Sequence, residues 1–124
     1  MRRGRNSGLR RRRLLSVATS RIRFAHRSEE DLAKLLDFYR IGWEYEPRCF
    51  PITWSANGEP VEFFTPDFYL PEYDLYIEVT VVKPKLQTRK NRKVRLLRQW
   101  HPGVRIKLLK RHDVERLCER LAVA

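Results

Sequence analysis

The chain has 124 residues, about the size of one domain, with 42% hydrophobic and 34% charged residues and a formal net charge of +12. So basic a balance favours a polyanionic partner over a basic or neutral one, and no run approaches the ~20 apolar residues that a membrane-spanning helix requires. Cys49 and Cys118 lack metal-ligand spacing and read as reduced thiols, which argues against a disulfide scaffold and for a cytoplasmic setting.

The first 27 residues, MRRGRNSGLRRRRLLSVATSRIRFAHR, contain ten arginines and no acid. They show neither helical nor alternating apolar periodicity and are expected to form a disordered basic arm. An organelle transit peptide has the same Arg- and Ser-rich, acid-free character. Residues 28–124 are expected to form a single domain, and its charge is polarised. Residues 28–82 carry twelve acids against Lys34, Arg40 and Arg48, whereas residues 83–124 carry fourteen bases against Asp113, Glu115 and Glu119. Acidic strands followed by basic helices suggest a cation site beside a polyanion-binding surface.

Ser28 with Asp31 predicts an N-cap box, and Leu32, Leu35, Leu36 and Tyr39 at helical spacing predict an amphipathic helix that stops at Gly42. WEYEPRCFPITW alternates and suits an edge strand broken at Pro47. Asn57-Gly58 signals a hairpin turn into VEFFTPDFYL, and PEYD turns the chain into LYIEVTVV, its most β-prone run. Pro84 ends that strand. TRKNRKVRLLRQW predicts a helix with Val94, Leu97 and Trp100 toward the core, VRIKLL a strand, and HDVERLCERLA a closing helix with Val114, Leu117 and Leu121 inward. The order is α-β-β-β-α-β-α, an α/β fold with a mixed sheet flanked by helices. His26, His101 and His112 are scattered and join no ligand or triad pattern.

Two acids sit inside the best strands. With Pro71–Asp74 as the hairpin loop, antiparallel pairing opposes Leu70 to Leu75, Phe68 to Ile77 and Asp67 to Glu78. The register that gathers Phe68, Leu70, Leu75, Ile77 and Val79 on one face therefore brings both carboxylates together on the other. Like charges so opposed destabilise a sheet unless a cation or a shared proton compensates. Hard divalent ions such as Mg²⁺ are commonly held by one or two carboxylates with water and phosphate. The bland alternative is a strand-start acid at Asp67 and a Glu78 paired with a nearby Lys or Arg.

PDF, with EVT placing Glu78 eleven residues after Asp67 and a Glu-bearing helix upstream, resembles the PD-(D/E)xK nuclease superfamily. That restriction-endonuclease-like family has an α-β-β-β-α-β core, here followed by a C-terminal helix. The resemblance implies a Mg²⁺- or Mn²⁺-dependent endonuclease, a hydrolase of DNA phosphodiester bonds. It makes Asp67 and Glu78 the catalytic, metal-binding acids, the Val79 carbonyl a further ligand, and Glu30, with Glu29 as the alternative, the helix acid. First-turn acids also suit a helix dipole without any metal. The family's catalytic Lys stands two residues after the Glu, where this chain has Thr80. Lys83 is the nearest substitute, although alternation turns it away from Glu78 unless the strand ends by Val82. Lys90 or Lys93 on the following helix are the other candidates. Lys85, Arg89, Lys90, Arg92 and Lys93 are expected to contact nucleic-acid phosphates, DNA ahead of RNA. Small nucleases that cut both strands often pair, which leaves a homodimer open. Two other functions compete with cutting. One is an inactive nuclease-fold module that binds nucleic acid or a protein partner, the other an RNA binder driven by the arm.

Overall fold

The computed structural model describes residues 22–80 and 83–123, and every structural statement refers to these. They form a mixed α/β fold in chain order: helix α1 (Arg27–Phe38), strands β1 (Glu44–Tyr45), β2 (Phe50–Trp54), β3 (Pro60–Phe64), β4 (Phe68–Leu70) and β5 (Leu75–Thr80), helix α2 (Pro84–Trp100), strand β6 (Ile106–Lys110) and helix α3 (Arg111–Val123). Residues 1–21, most of the expected basic arm, lie outside the described residues. The arm's boundary at Ser28 does not hold. Ile22 and Phe24 pack on the core, and the Phe24 ring meets those of Trp43, Tyr45 and Phe68.

The main sheet has the order β1-β4-β5-β6, antiparallel except for the parallel pair β5–β6, and β2 and β3 form a separate two-stranded sheet. The break expected at Pro47 is present, and VEFFTPDFYL, read as one run, is also divided in two. Segment 44–54 pairs with segment 60–69 as one bent hairpin that belongs to the main sheet at one end and to the small sheet at the other. The bends fall at the prolines. Pro47 and Pro66 cannot donate to a ladder, and Glu46 takes a left-handed φ of 46° while its N–H bonds the Asp67 carbonyl at 2.8 Å. Gly58, at φ 88°, closes the hairpin as the Asn-Gly signal predicts.

Strand β5 is buried along its whole length because helices and the small sheet cover both faces. Leu75, Ile77 and Val79 join Phe68 and Leu70 in a core under α1 and α3, with Leu32, Leu36, Val114 and Leu117. On the opposite face Tyr76 packs with Val94 and Leu97 of α2, with Ile106, and with Phe50, Ile52 and Phe64 of the small sheet. Trp100, expected to point inward, is instead exposed at the end of α2.

Helix α1 begins at Arg27, one residue before the predicted cap, with His26 at the N-cap and no side-chain cap bond. It stops before Gly42. Arg40 takes the left-handed conformation at φ 59°, its N–H bonds the Asp37 carbonyl, and the Ile41 N–H returns to the Leu36 carbonyl at 2.8 Å. This is a Schellman ending, sealed by burial of Ile41 and Leu36 in one core. Helix α2 starts one turn earlier than its apolar pattern suggests, because Pro84 is tolerated in the first turn, where its missing N–H has no intrahelical partner to lose.

Candidate acid–lysine site

The register β4–β5 pairs Phe68 with Ile77 and Leu70 with Leu75, as the loop length predicts, and the next position outward is Asp67 opposite Glu78. There the two side chains continue the ladder. The Asp67 N–H donates to Glu78 Oε1 at 3.0 Å, and the Val79 N–H donates to Asp67 Oδ2 at 2.9 Å. Each acid thus accepts a backbone N–H from the other strand, which fixes both carboxylates. Both are 5% exposed.

Burial beside one another makes these groups hold protons tightly. Desolvation first, then the Glu78 charge, pushes Asp67 up to about 8, and the more distant Glu29 adds to this. Glu78 is also raised by burial, although Lys90 opposes the rise. The Lys90 ammonium lies 3.3 Å from Glu78 Oε2 and donates to the Val79 carbonyl. Its position follows from geometry. Val94 packs in the cluster that contains Tyr76. Stepping back one helical turn to Lys90 covers about 6 Å, and stepping on from Tyr76 to Glu78 covers about 6.6 Å, so the turn and the two-residue strand step keep pace.

The third acid is Glu29, not Glu30. Glu29 is 3% exposed, and its Oε1 accepts the Tyr45 hydroxyl at 2.6 Å and the Ala25 N–H at 3.3 Å. By accepting the Ala25 N–H, Glu29 ties the chain that enters α1 to the helix's first turn. Glu30 lies on the outer side of α1, where it pairs with Lys34 at 3.5 Å. Burial first, and then the bond to Glu29, raise the pKa of Tyr45. No part of the sequence pattern singled out Tyr45. An aromatic residue in the strand beside PDF was the available clue.

Lys83 does not reach the pair. It is the exposed N-cap of α2. Of the residues expected on phosphates, Lys85 and Arg89 are exposed. Arg92 is held by Glu62 through two bonds of 2.8 and 3.0 Å, and Lys93 stands 6.0 Å from the centre of the Phe64 ring. Thr80 is buried on the Glu78 side of β5. Both cysteines are free, and burial pushes Cys118 up to about 11, the opposite of an activated thiol.

The donor atoms around the pair are all oxygens, from two carboxylates and the Val79 carbonyl, a set suited to a hard cation rather than to zinc. Asp67 Oδ2 and Glu78 Oε1 are committed to backbone N–H groups, so Asp67 Oδ1, Glu78 Oε2 and the Val79 carbonyl are the atoms that would hold Mg²⁺ or Mn²⁺. Lys90 contacts the last two. Among the described residues no group of three or more His, Cys, Asp or Glu is arranged to hold a metal, and no helix is long and apolar enough to cross a membrane. Comparison of the chain with protein-family models, with curated proteins and with solved structures finds no match in any of the three.

Proposed function

We propose that the protein is a divalent-metal-dependent nuclease of the PD-(D/E)xK type that hydrolyses DNA phosphodiester bonds. The observation that supports this best is the buried facing pair Asp67–Glu78 with the Lys90 ammonium on its rim. In this reading Lys90 replaces the strand lysine whose place Thr80 occupies. When bound, the metal supplies Lewis acidity and an activated water for attack on phosphorus. Asp67, Glu78 and the Val79 carbonyl would hold it, and their backbone bonds keep the carboxylates from reorienting. Lys90, which without metal contacts Glu78 Oε2 and the Val79 carbonyl, would turn from them to the non-bridging oxygens on which charge grows as water's oxygen bonds phosphorus and the ester oxygen leaves. Glu29, fixed by Tyr45, adds negative charge that strengthens cation binding. The excess of bases after Lys83 attracts the polyanionic substrate.

The test is nicking of supercoiled DNA in Mg²⁺ or Mn²⁺. Asp67→Ala, Glu78→Ala and Lys90→Ala should each lower the rate by at least 100-fold, about 2.7 kcal/mol of lost transition-state stabilisation. Unchanged nicking by a pure Asp67→Ala preparation would refute the reading.

One observation favours a second reading. Lys90 already compensates Glu78 and satisfies the Val79 carbonyl, so the pair has an internal partner without any metal. A non-cutting nucleic-acid-binding module would then bind DNA in a salt-dependent way and leave it intact in every divalent ion.

A further inference from the structure

Helix α2 presents a second feature away from the acid pair. Arg89, Lys93 and Trp100, spaced by four and seven residues, fall along one flank of the helix. The small sheet meets this flank with rings. Phe64 of β3 lies under the Lys93 ammonium, and Trp54 of β2 meets the Trp100 ring edge to face, with centroids 4.8 Å apart. The Trp100 side is held from beneath, because the next residue, His101, bonds the Pro51 carbonyl through Nε2 at 2.8 Å and packs its ring against Phe50. Yet Trp100 is 52% exposed. The outcome is a row of cation, cation over a ring, and open indole, about 16 Å long at the helical rise. Lys90, which caps the acid pair, is adjacent to its first member.

A track of cations leading to an open aromatic ring suits an unpaired nucleic-acid strand. The cations track its phosphates, and a ring anchored on its far side gives a base a face to stack on. In a blunt duplex the bases are already stacked on each other, so an open indole offers it little. We infer that the Arg89–Lys93–Trp100 flank binds a single-stranded DNA segment that leaves the acid pair, with Trp100 stacking on one base. The inference rests on the nucleic-acid reading above and names its substrate class: DNA with an unpaired stretch next to the site.

The experiment measures binding in EDTA, so that no cutting intervenes, using labelled dT12, rU12 and a blunt 12-base-pair duplex. One stacked base contributes roughly 5- to 150-fold in affinity. Trp100→Ala should therefore weaken dT12 binding by about 10-fold or more, change duplex binding less than twofold, and abolish the quenching of indole emission by dT12. Trp100→Phe should restore most of the affinity, and Arg89→Ala should reduce the salt dependence for dT12. An unchanged dT12 affinity in Trp100→Ala, or equal losses for strand and duplex, would overturn the inference. Tighter binding of rU12 than dT12 would overturn the DNA assignment. If the wild-type chain binds none of the three, the nucleic-acid reading itself falls. If it binds them but cuts nothing in Mg²⁺, only the cutting reading falls, and the stacking result stands by itself.

Discussion

Replacing Asp67 by Asn should stabilise the folded chain while abolishing the proposed nicking of DNA. Asn keeps the shape and an oxygen to accept the Val79 N–H, but it carries no charge. The folded-state pKa of Asp67 is raised from 3.8 to about 8, so the folded form binds this proton more tightly than the unfolded form does. With that sign, no penalty exists below pH 3.8. It then grows by about 1.4 kcal/mol per pH unit and is complete above pH 8. At pH 7 this amounts to an upper bound of about 4 kcal/mol, and relaxation around a coupled pair reduces it to about 2 kcal/mol.

A gain of about 2 kcal/mol corresponds to a rise of roughly 8–16 °C in Tm for a domain of this size. The assay is calorimetry in EDTA from pH 4.5 to 8.5. The wild type should lose stability as pH rises through this window, and Asp67→Asn should show a flatter profile, with the two converging toward pH 4.5. Adding Mg²⁺ should raise the wild-type Tm by mass action and leave the variant unmoved. A variant less stable than wild type at pH 8, or one with the same pH slope, would refute the claim that a buried, uncompensated carboxylate dominates this site.

Lys90→Met should cost about 2 kcal/mol at pH 8 and less at pH 5, where Glu78 escapes by taking a proton; urea unfolding at the two pH values checks this. Tyr45→Phe removes the hydroxyl that fixes Glu29 and should cost about 1–2 kcal/mol in the same assay. It should also weaken Mg²⁺ binding measured by titration calorimetry while leaving the rate at saturating metal nearly unchanged. Arg40→Gly should stabilise by roughly 1 kcal/mol, because glycine accepts the left-handed position that ends α1 without a Cβ clash; an unchanged or lower Tm would show that Arg40 is held there by other contacts.

The hairpin register was legible because it depends on only two things, the period of a strand and the length of a loop. Both act locally, and together they place Asp67 beside Glu78 before any tertiary information exists. The lysine was legible only as a choice. Counting a turn of α2 against two residues of β5 picks out Lys90, but that count needs Val94 to lie in the cluster with Tyr76, and two runs of apolar letters do not state which layers meet. Glu29 was legible and overlooked. Adjacent first-turn acids differ by 100° around the helix, and Glu29, three residues before Leu32 and seven before Leu36, falls on the apolar stripe while Glu30 falls off it. Setting aside everything before Ser28 discarded Ile22 and Phe24, the apolar residues that would have shown where the packed chain begins. The small sheet was missed because Pro47 reads only as a strand break and Pro66 as an interior position of one run, whereas both mark where one hairpin passes from one sheet to another.

These placements bear on why Thr80 is tolerated in the proposed site. With all groups ionised, Asp67, Glu78 and Glu29 bring three negative charges and Lys90 one positive charge, so the cluster is short by two. The proton that Asp67 holds in the metal-free chain makes up half of that deficit at neutral pH. A divalent cation in the proposed site would make up all of it, whereas a monovalent one would not. A second lysine at position 80 would put another ammonium on the same face of β5 as Glu78, next to Lys90, and would leave room for only one more positive charge. An uncharged residue at 80 and a lysine supplied by α2 therefore belong together. The helix delivers the single ammonium from the rim, and the strand keeps the two-charge deficit that would draw in Mg²⁺.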